Sequence, residues 1–220
     1  MLKEILKMPV ILNDDLKVPR LIILRGSPAV GKSTVASKVA SLNSAKKKAH
    51  IGIDNFQLYD RRSMSVDREK LAIRNAALLT KNFLREEFDV VVDYVFDDTE
   101  DQNQFINFIF GSELIKLDTI YVQQFYLDAP LEKIIKRNQS RSGKRGEYMN
   151  LPLLRKLYEK TSKTKGTIEH EFIIDTTRYN ATQCAGYILS YPQAYKNDEI
   201  LEIISLSEKD LARAPELKDD

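Results

Sequence analysis

The chain has 220 residues, of which 43% are hydrophobic and 30% charged, with 34 basic against 32 acidic side chains. That balance suits one folded domain with a sizeable core, and it argues against a disordered chain or one built to bind nucleic acid or membrane through bulk charge. Cys184 is the sole cysteine, so neither an internal disulfide nor a thiolate zinc cluster can form, as fits a reducing cytoplasm. The N-terminus, MLKEILKMPVILNDDLK, is broken by charges and Pro9 and lacks a secretory apolar core. No apolar run approaches the ~18 residues that a spanning helix needs.

Taken in chain order, short apolar runs alternate with longer helical patterns, which predicts an α/β fold on a mainly parallel sheet. Residues 1–19 form an N-terminal extension, 20–190 the core domain, and 191–220 a charged tail or peripheral helices. Leu21–Leu24 is the first buried strand. A helix follows with Val35, Val39 and Leu42 near one face, and then a short strand at Ile51–Ile53. Asp67 is placed to cap a long helix whose Leu71, Leu78, Leu79 and Phe83 keep helical spacing. Val90–Val92 is the next strand, Phe105–Phe110 lies on a helix, Thr119–Leu127 is a long strand and Leu131–Asn138 a helix. The polar, basic stretch Ser140–Asn150 reads as a loop. Pro152 opens a helix carrying Leu154, Leu157 and Tyr158. Phe172–Ile174 is the last core strand and Tyr179–Leu189 the last core helix.

Between the first strand and its helix stands Gly26-Ser27-Pro28-Ala29-Val30-Gly31-Lys32-Ser33, followed by Thr34, a full match to G-x-x-x-x-G-K-[ST]. Anionic phosphates need a wrap of backbone N–H groups, which glycines permit, and the positive end of the following helix adds to it. Lys32 would reach the β and γ phosphates and Ser33 would ligate Mg²⁺. None of the eight glycines has an Asp three positions before it, and N-K-x-D is absent, so the chain lacks the marks of a GTPase switch. Asp93 follows the buried valines and is itself followed by Tyr94 rather than Glu, which leaves no obvious agent for activating water. Transfer to another acceptor is therefore expected.

A kinase needs a carboxylate near the γ-phosphate to orient or deprotonate the acceptor hydroxyl. Asp54 follows the second strand, and strand carboxyl ends face the ligand crevice of an open parallel sheet. Asp93 reads three ways: as a ligand of Mg²⁺ or its water, as an acceptor ligand, or as a turn residue. Arg137 and Arg141, four apart and on one helix face if the helix continues, with Lys144 and Arg145 beyond, could form a lid over the triphosphate. His50 and His170 lack partners at ligand spacing, and structural roles are expected for both. Lys46, Lys47 and Lys48 read as a solvated basic turn.

The chain resembles the chloramphenicol-phosphotransferase-like branch of small P-loop kinases. The resemblance spans about residues 20–190 and rests on LIILRGSPAVGKST, IGIDNF, DVVVDYVF, the spacing of Arg137 and Arg141, and EHEFIIDTT before a helix. It implies a three-layer fold with a five-stranded parallel sheet and a short lid, and ATP-dependent phosphorylation of a hydroxyl. It also implies Asp54 as base, Lys32 on phosphate, and Arg137 and Arg141 in the lid. The stretch from Leu58 to Lys70 and the pair Asp97-Asp98 match no role in that family. The expected ligands are ATP, Mg²⁺ and a small hydroxyl-bearing acceptor. The alternatives are a polynucleotide 5′-hydroxyl kinase, for which Arg61, Arg62 and the lysine turn could line a groove, and a regulatory protein that binds or hydrolyses ATP.

Overall fold

The computed structural model describes residues 18–56, 66–111, 120–140, 149–168 and 170–191. Five strands form one sheet: β1 (Arg20–Arg25), β2 (Lys48–Gly52), β3 (Asp89–Asp93), β4 (Tyr121–Asp128) and β5 (Glu171–Asp175). All pairings are parallel and the order is β2-β3-β1-β4-β5. Helices flank the sheet: α1 (Lys32–Leu42), α2 (Val66–Arg85), α3 (Thr99–Phe110), α4 (Leu131–Ser140), α5 (Leu151–Lys163) and α6 (Ala181–Ser190). This is the P-loop NTPase α/β fold. The strand order reverses beside β1, so the crevice for ligand opens at its carboxyl end, where the glycine loop stands.

Burial on both faces explains the unbroken apolar β1 and β3. Leu21, Ile23, Val90 and Val92 join the core cluster with α2 and α3. Ile22, Leu24 and Val91 join the cluster with α1, α4, α5 and α6. At the amino ends of the strands, Arg20 donates to Asp89 from both Nε (2.8 Å) and Nη2 (2.7 Å), and Asn43 donates to the same carboxylate. That network locks β1, β3 and the end of α1 together, far from the crevice.

Helix starts follow local chemistry. Asp98 accepts from Glu100 N at α3, Asn150 from Leu153 N at α5, and Asn180 exchanges capping-box bonds with Gln183 at α6. Asp98, unmatched by the family resemblance, is thus a cap.

Several expectations shift. Helix α2 already begins at Val66, so Asp67 lies inside its first turn instead of capping it. Its buried face is Ala72, Ile73, Ala76, Ala77 and Leu84, while Leu71 and Leu78 are 48% and 44% exposed. Of the expected face only Phe83 packs against the core; the buried face is mostly small residues, which let α2 pack closely against α3. Leu42, at the end of α1, is likewise exposed. Strand β2 starts three residues early and ends at Gly52, and Ile53–Phe56 is a 3₁₀ turn. Residues 1–17, 192–220, 57–65 with Arg61 and Arg62, and 141–148 with Arg141, Lys144 and Arg145 lie outside the described residues. No helix among the described residues is long and apolar enough to cross a membrane.

Candidate functional site

The glycine loop fills the turn between β1 and α1. Gly26 has φ 137° and Gly31 φ 112°, both in the region that L side chains avoid, and Ala29 sits at φ 61°. A Cβ on Gly26 would lie 2.4 Å from the carbonyl oxygen of Leu127, so glycine there lets the loop pass over the end of β4. Gly31 is the N-cap residue of α1, and no side chain caps that helix. The amino end of α1 is therefore left to meet an anion. Lys32 is buried and its Nζ donates to the carbonyls of Gly26 and Ser27, at 2.9 and 3.0 Å. The ammonium thus lies within the loop that would cradle phosphate.

Ser33 Oγ donates to Asp93 Oδ2 at 2.6 Å, and His50 Nε2 lies 2.6 Å from Asp93 Oδ1. The turn reading of Asp93 is set aside, because a buried carboxylate with a partner on each oxygen is a built feature. His50, expected ahead of the strand, lies inside β2: it stands across from Val91, two residues short of Asp93, and the ring reaches forward. Contact across strands that are distant in sequence carries no local spacing signal. The oxygens of Ser33 and Asp93 are hard donors, and such a pair fits Mg²⁺, which keeps several waters and takes one or two carboxylates besides phosphate.

Asp54 is exposed on the 3₁₀ turn just past β2, at the crevice end of the sheet but two residues beyond the strand. It is electrostatically coupled to Tyr94, whose hydroxyl donates to Glu69 Oε1 at 2.6 Å. Burial, then Glu69 and then Asp54, push the Tyr94 phenol far above its ordinary range. Carboxylate oxygens of Glu69, Asp97 and Asp101 come within 4.8 Å of one another. Burial and the neighbouring carboxylates raise Asp101 to about 6. Lys160 holds Asp97 at 3.1 Å. The residue following Asp93 is thus ringed by negative groups, which the sequence reading missed because Glu69 and Asp101 come from different helices.

Arg137, on α4, donates from Nη1 to Val30 O and Thr176 Oγ1 and from Nη2 to Thr176 O, all at 2.8 Å. It ties the glycine loop to the turn after β5. Beside it lies a cleft of about 300 Å³, lined among others by Gly31, Thr34, Arg137, Thr176, Tyr179 and Asn180. Cys184 also lines it, and burial pushes that thiol up to about 11, so it stays a neutral wall. The amide of Asn138 bonds both backbone groups of Met149, pinning together the two ends of the segment that contains Arg141.

No curated protein matches the chain in sequence. Solved structures share its fold. A gluconokinase from Sinorhizobium meliloti 1021 is 13% identical with a TM-score of 0.55, over 87% of this chain and 97% of that one. Chaetomium thermophilum Kti12 in complex with ADP-AlF3 is 16% identical with a TM-score of 0.55, over 84% and 98%. A chain of the Pnkp1/Rnl/Hen1 RNA repair complex is 20% identical with a TM-score of 0.55, over 70% of this chain but only 47% of that longer one. The sequence pattern of AAA_33, an AAA domain, matches residues 21–157, more than half of the chain, and the chain belongs to that family of P-loop, kinase-like domains.

Proposed function

We propose that the protein is an ATP-dependent kinase that transfers the γ-phosphoryl group to a hydroxyl of a small acceptor. The observation that carries this reading is the joining of the glycine loop to Asp93 through Ser33, with Tyr94 rather than a water-activating Glu beyond it. The base and ribose of ATP fit the cleft beside Arg137, and the triphosphate follows the loop toward Lys32. Ser33 and Asp93 would hold Mg²⁺, which when bound would supply positive charge to the transferring group. Lys32 turns from the loop carbonyls to the β and γ phosphates. Arg137, with Arg141 beyond it, covers the nucleotide. Asp54 accepts the acceptor's hydroxyl proton as that oxygen attacks phosphorus and the bond to the β-phosphate oxygen breaks. The chloramphenicol-phosphotransferase-like assignment remains part of this reading as a subtype, with no acceptor chosen.

A polynucleotide 5′-end is the weaker alternative. It is a polyanion, and the carboxylates of Asp54, Glu69 and Asp101 gather around Tyr94, the residue after Asp93, with Asp97 beside Glu69 and Asp101. A neutral or cationic alcohol suits that surface better. The test is transfer of radiolabelled γ-phosphate to a panel of sugars, nucleosides, amino alcohols and 5′-hydroxyl RNA, with Lys32→Ala as control. Acceptor-dependent labelling that disappears in Lys32→Ala supports the reading. ATP consumption indifferent to every acceptor class contradicts it.

A further inference from the structure

We infer that His50 is a positioning residue for the cation site: it clamps Asp93 so that Asp93 and Ser33 present a fixed pair of oxygens to a divalent ion. The inference rests on the reading above in which those two residues hold Mg²⁺. The Asp93 side chain is almost wholly buried and cannot rely on water to fix its orientation. Its two oxygens are divided: Oδ1 accepts from His50 Nε2 and Oδ2 from Ser33 Oγ, each at 2.6 Å. With Oδ1 occupied by the imidazole, Oδ2 is the oxygen available to the ion or to one of its waters.

The backbone is arranged for this contact. Gly52 is the next residue on the same face of β2 and stands directly across from Asp93 in the register. A Cβ there would come within 3.4 Å of Asp93 Oδ1 and 3.0 Å of Asn55 Nδ2. The absent side chain leaves room for the Asn55 amide beside the Asp93 carboxylate. His50 itself sits on the edge strand, part-exposed and outside both core clusters, so packing does not account for the contact. Groups that orient a metal-binding carboxylate typically change metal affinity 10–100-fold when removed.

The experiment measures binding of a non-hydrolysable ATP analogue against Mg²⁺ concentration, and separately in EDTA, with no acceptor present. The proteins are wild type, His50→Ala, His50→Gln and Ser33→Ala, each checked for a cooperative melt. His50→Ala should raise the Mg²⁺ needed for half-saturation by about 10-fold or more and leave binding in EDTA unchanged. His50→Gln, whose amide N–H can donate in place of Nε2, should recover most of the loss. Unchanged Mg²⁺ dependence in His50→Ala overturns the inference. So does an equal loss in EDTA, or a folded His50→Gln no better than His50→Ala. If wild type shows no Mg²⁺-dependent binding and Ser33→Ala changes nothing, the kinase reading falls as well. A failure confined to His50 leaves that reading standing.

Discussion

Directly before the glycine loop, Arg25 is buried at the end of β1, and its removal or isolation should be felt throughout the domain. Its guanidinium pairs with Glu171 through Nε–Oε1 and, at 2.7 Å, Nη2–Oε2. The two side chains are 1% and 0% exposed. Thr164 Oγ1 accepts a further bond at 2.8 Å, and the Tyr126 ring lies 5.0 Å from the guanidinium carbon. Glu171→Gln keeps the side chain's size, so no cavity arises and only the negative charge is lost. Two unit charges at that separation, with an effective dielectric constant near 20, attract by roughly 6 kcal/mol. Breaking one partner of a buried pair typically costs about 3–5 kcal/mol, because the remaining charge stays desolvated. We expect Glu171→Gln to lose about 3–5 kcal/mol in urea unfolding followed by circular dichroism. The double change Arg25→Met with Glu171→Leu should recover most of that, since no charge is then buried. A loss below about 1 kcal/mol in Glu171→Gln would refute the reasoning, since the pair would then be solvated or dispensable.

Asp101 gives a pH-dependent test. Its folded value of about 6 lies above the ordinary 3.8, so the native state holds a proton that the unfolded chain releases between those values. Stability contributed by this group is present below the ordinary value and is lost as pH rises through about 6. Asp101→Asn should therefore stabilise the protein at pH 8 by about 1 kcal/mol, allowing for solvent screening of a half-buried group. That gain should fade near pH 4, and a gain that does not vary with pH contradicts the assignment. Gly26→Ala places a methyl against the Leu127 carbonyl at a φ of 137°. It should cost about 2 kcal/mol or more and weaken ATP-analogue binding, whereas full affinity in a stable Gly26→Ala protein would show that the loop does not need its present path.

The glycine motif and the buried valine strands were legible because their signals are local. Glycines at fixed spacing, a lysine and a serine stand where a strand meets a helix, and two-faced burial writes itself as an unbroken apolar run. The cap at Asp98 and the helix opened by Pro152 belong to the same local grammar, though Asp98 drew no role beforehand. Long-range contacts carried no such signal. His50 and Asp93 meet only because β2 and β3 are parallel neighbours in a register that no spacing reveals. The acidic group of Glu69, Asp97 and Asp101 is assembled by the packing of α2 on α3. The buried face of α2 is written largely in Ala72, Ala76 and Ala77, whose hydrophobic signal is weaker than that of the leucines that turn outward. Arg25 and Glu171, 146 residues apart, likewise meet only through tertiary packing.

The central claim, phosphoryl transfer with Asp54 as the base, is tested most directly by turnover and ATP affinity in Asp54→Asn with any acceptor that supports labelling. Asparagine keeps the size and polarity of the side chain but cannot take the hydroxyl proton. General-base contributions are about 10²–10⁴-fold, or roughly 3–5 kcal/mol of barrier. The account predicts that kcat falls by about two orders of magnitude or more while ATP affinity is nearly unchanged. Near-normal kcat in Asp54→Asn would contradict it, and would move the proton acceptor to another group or remove it from the mechanism.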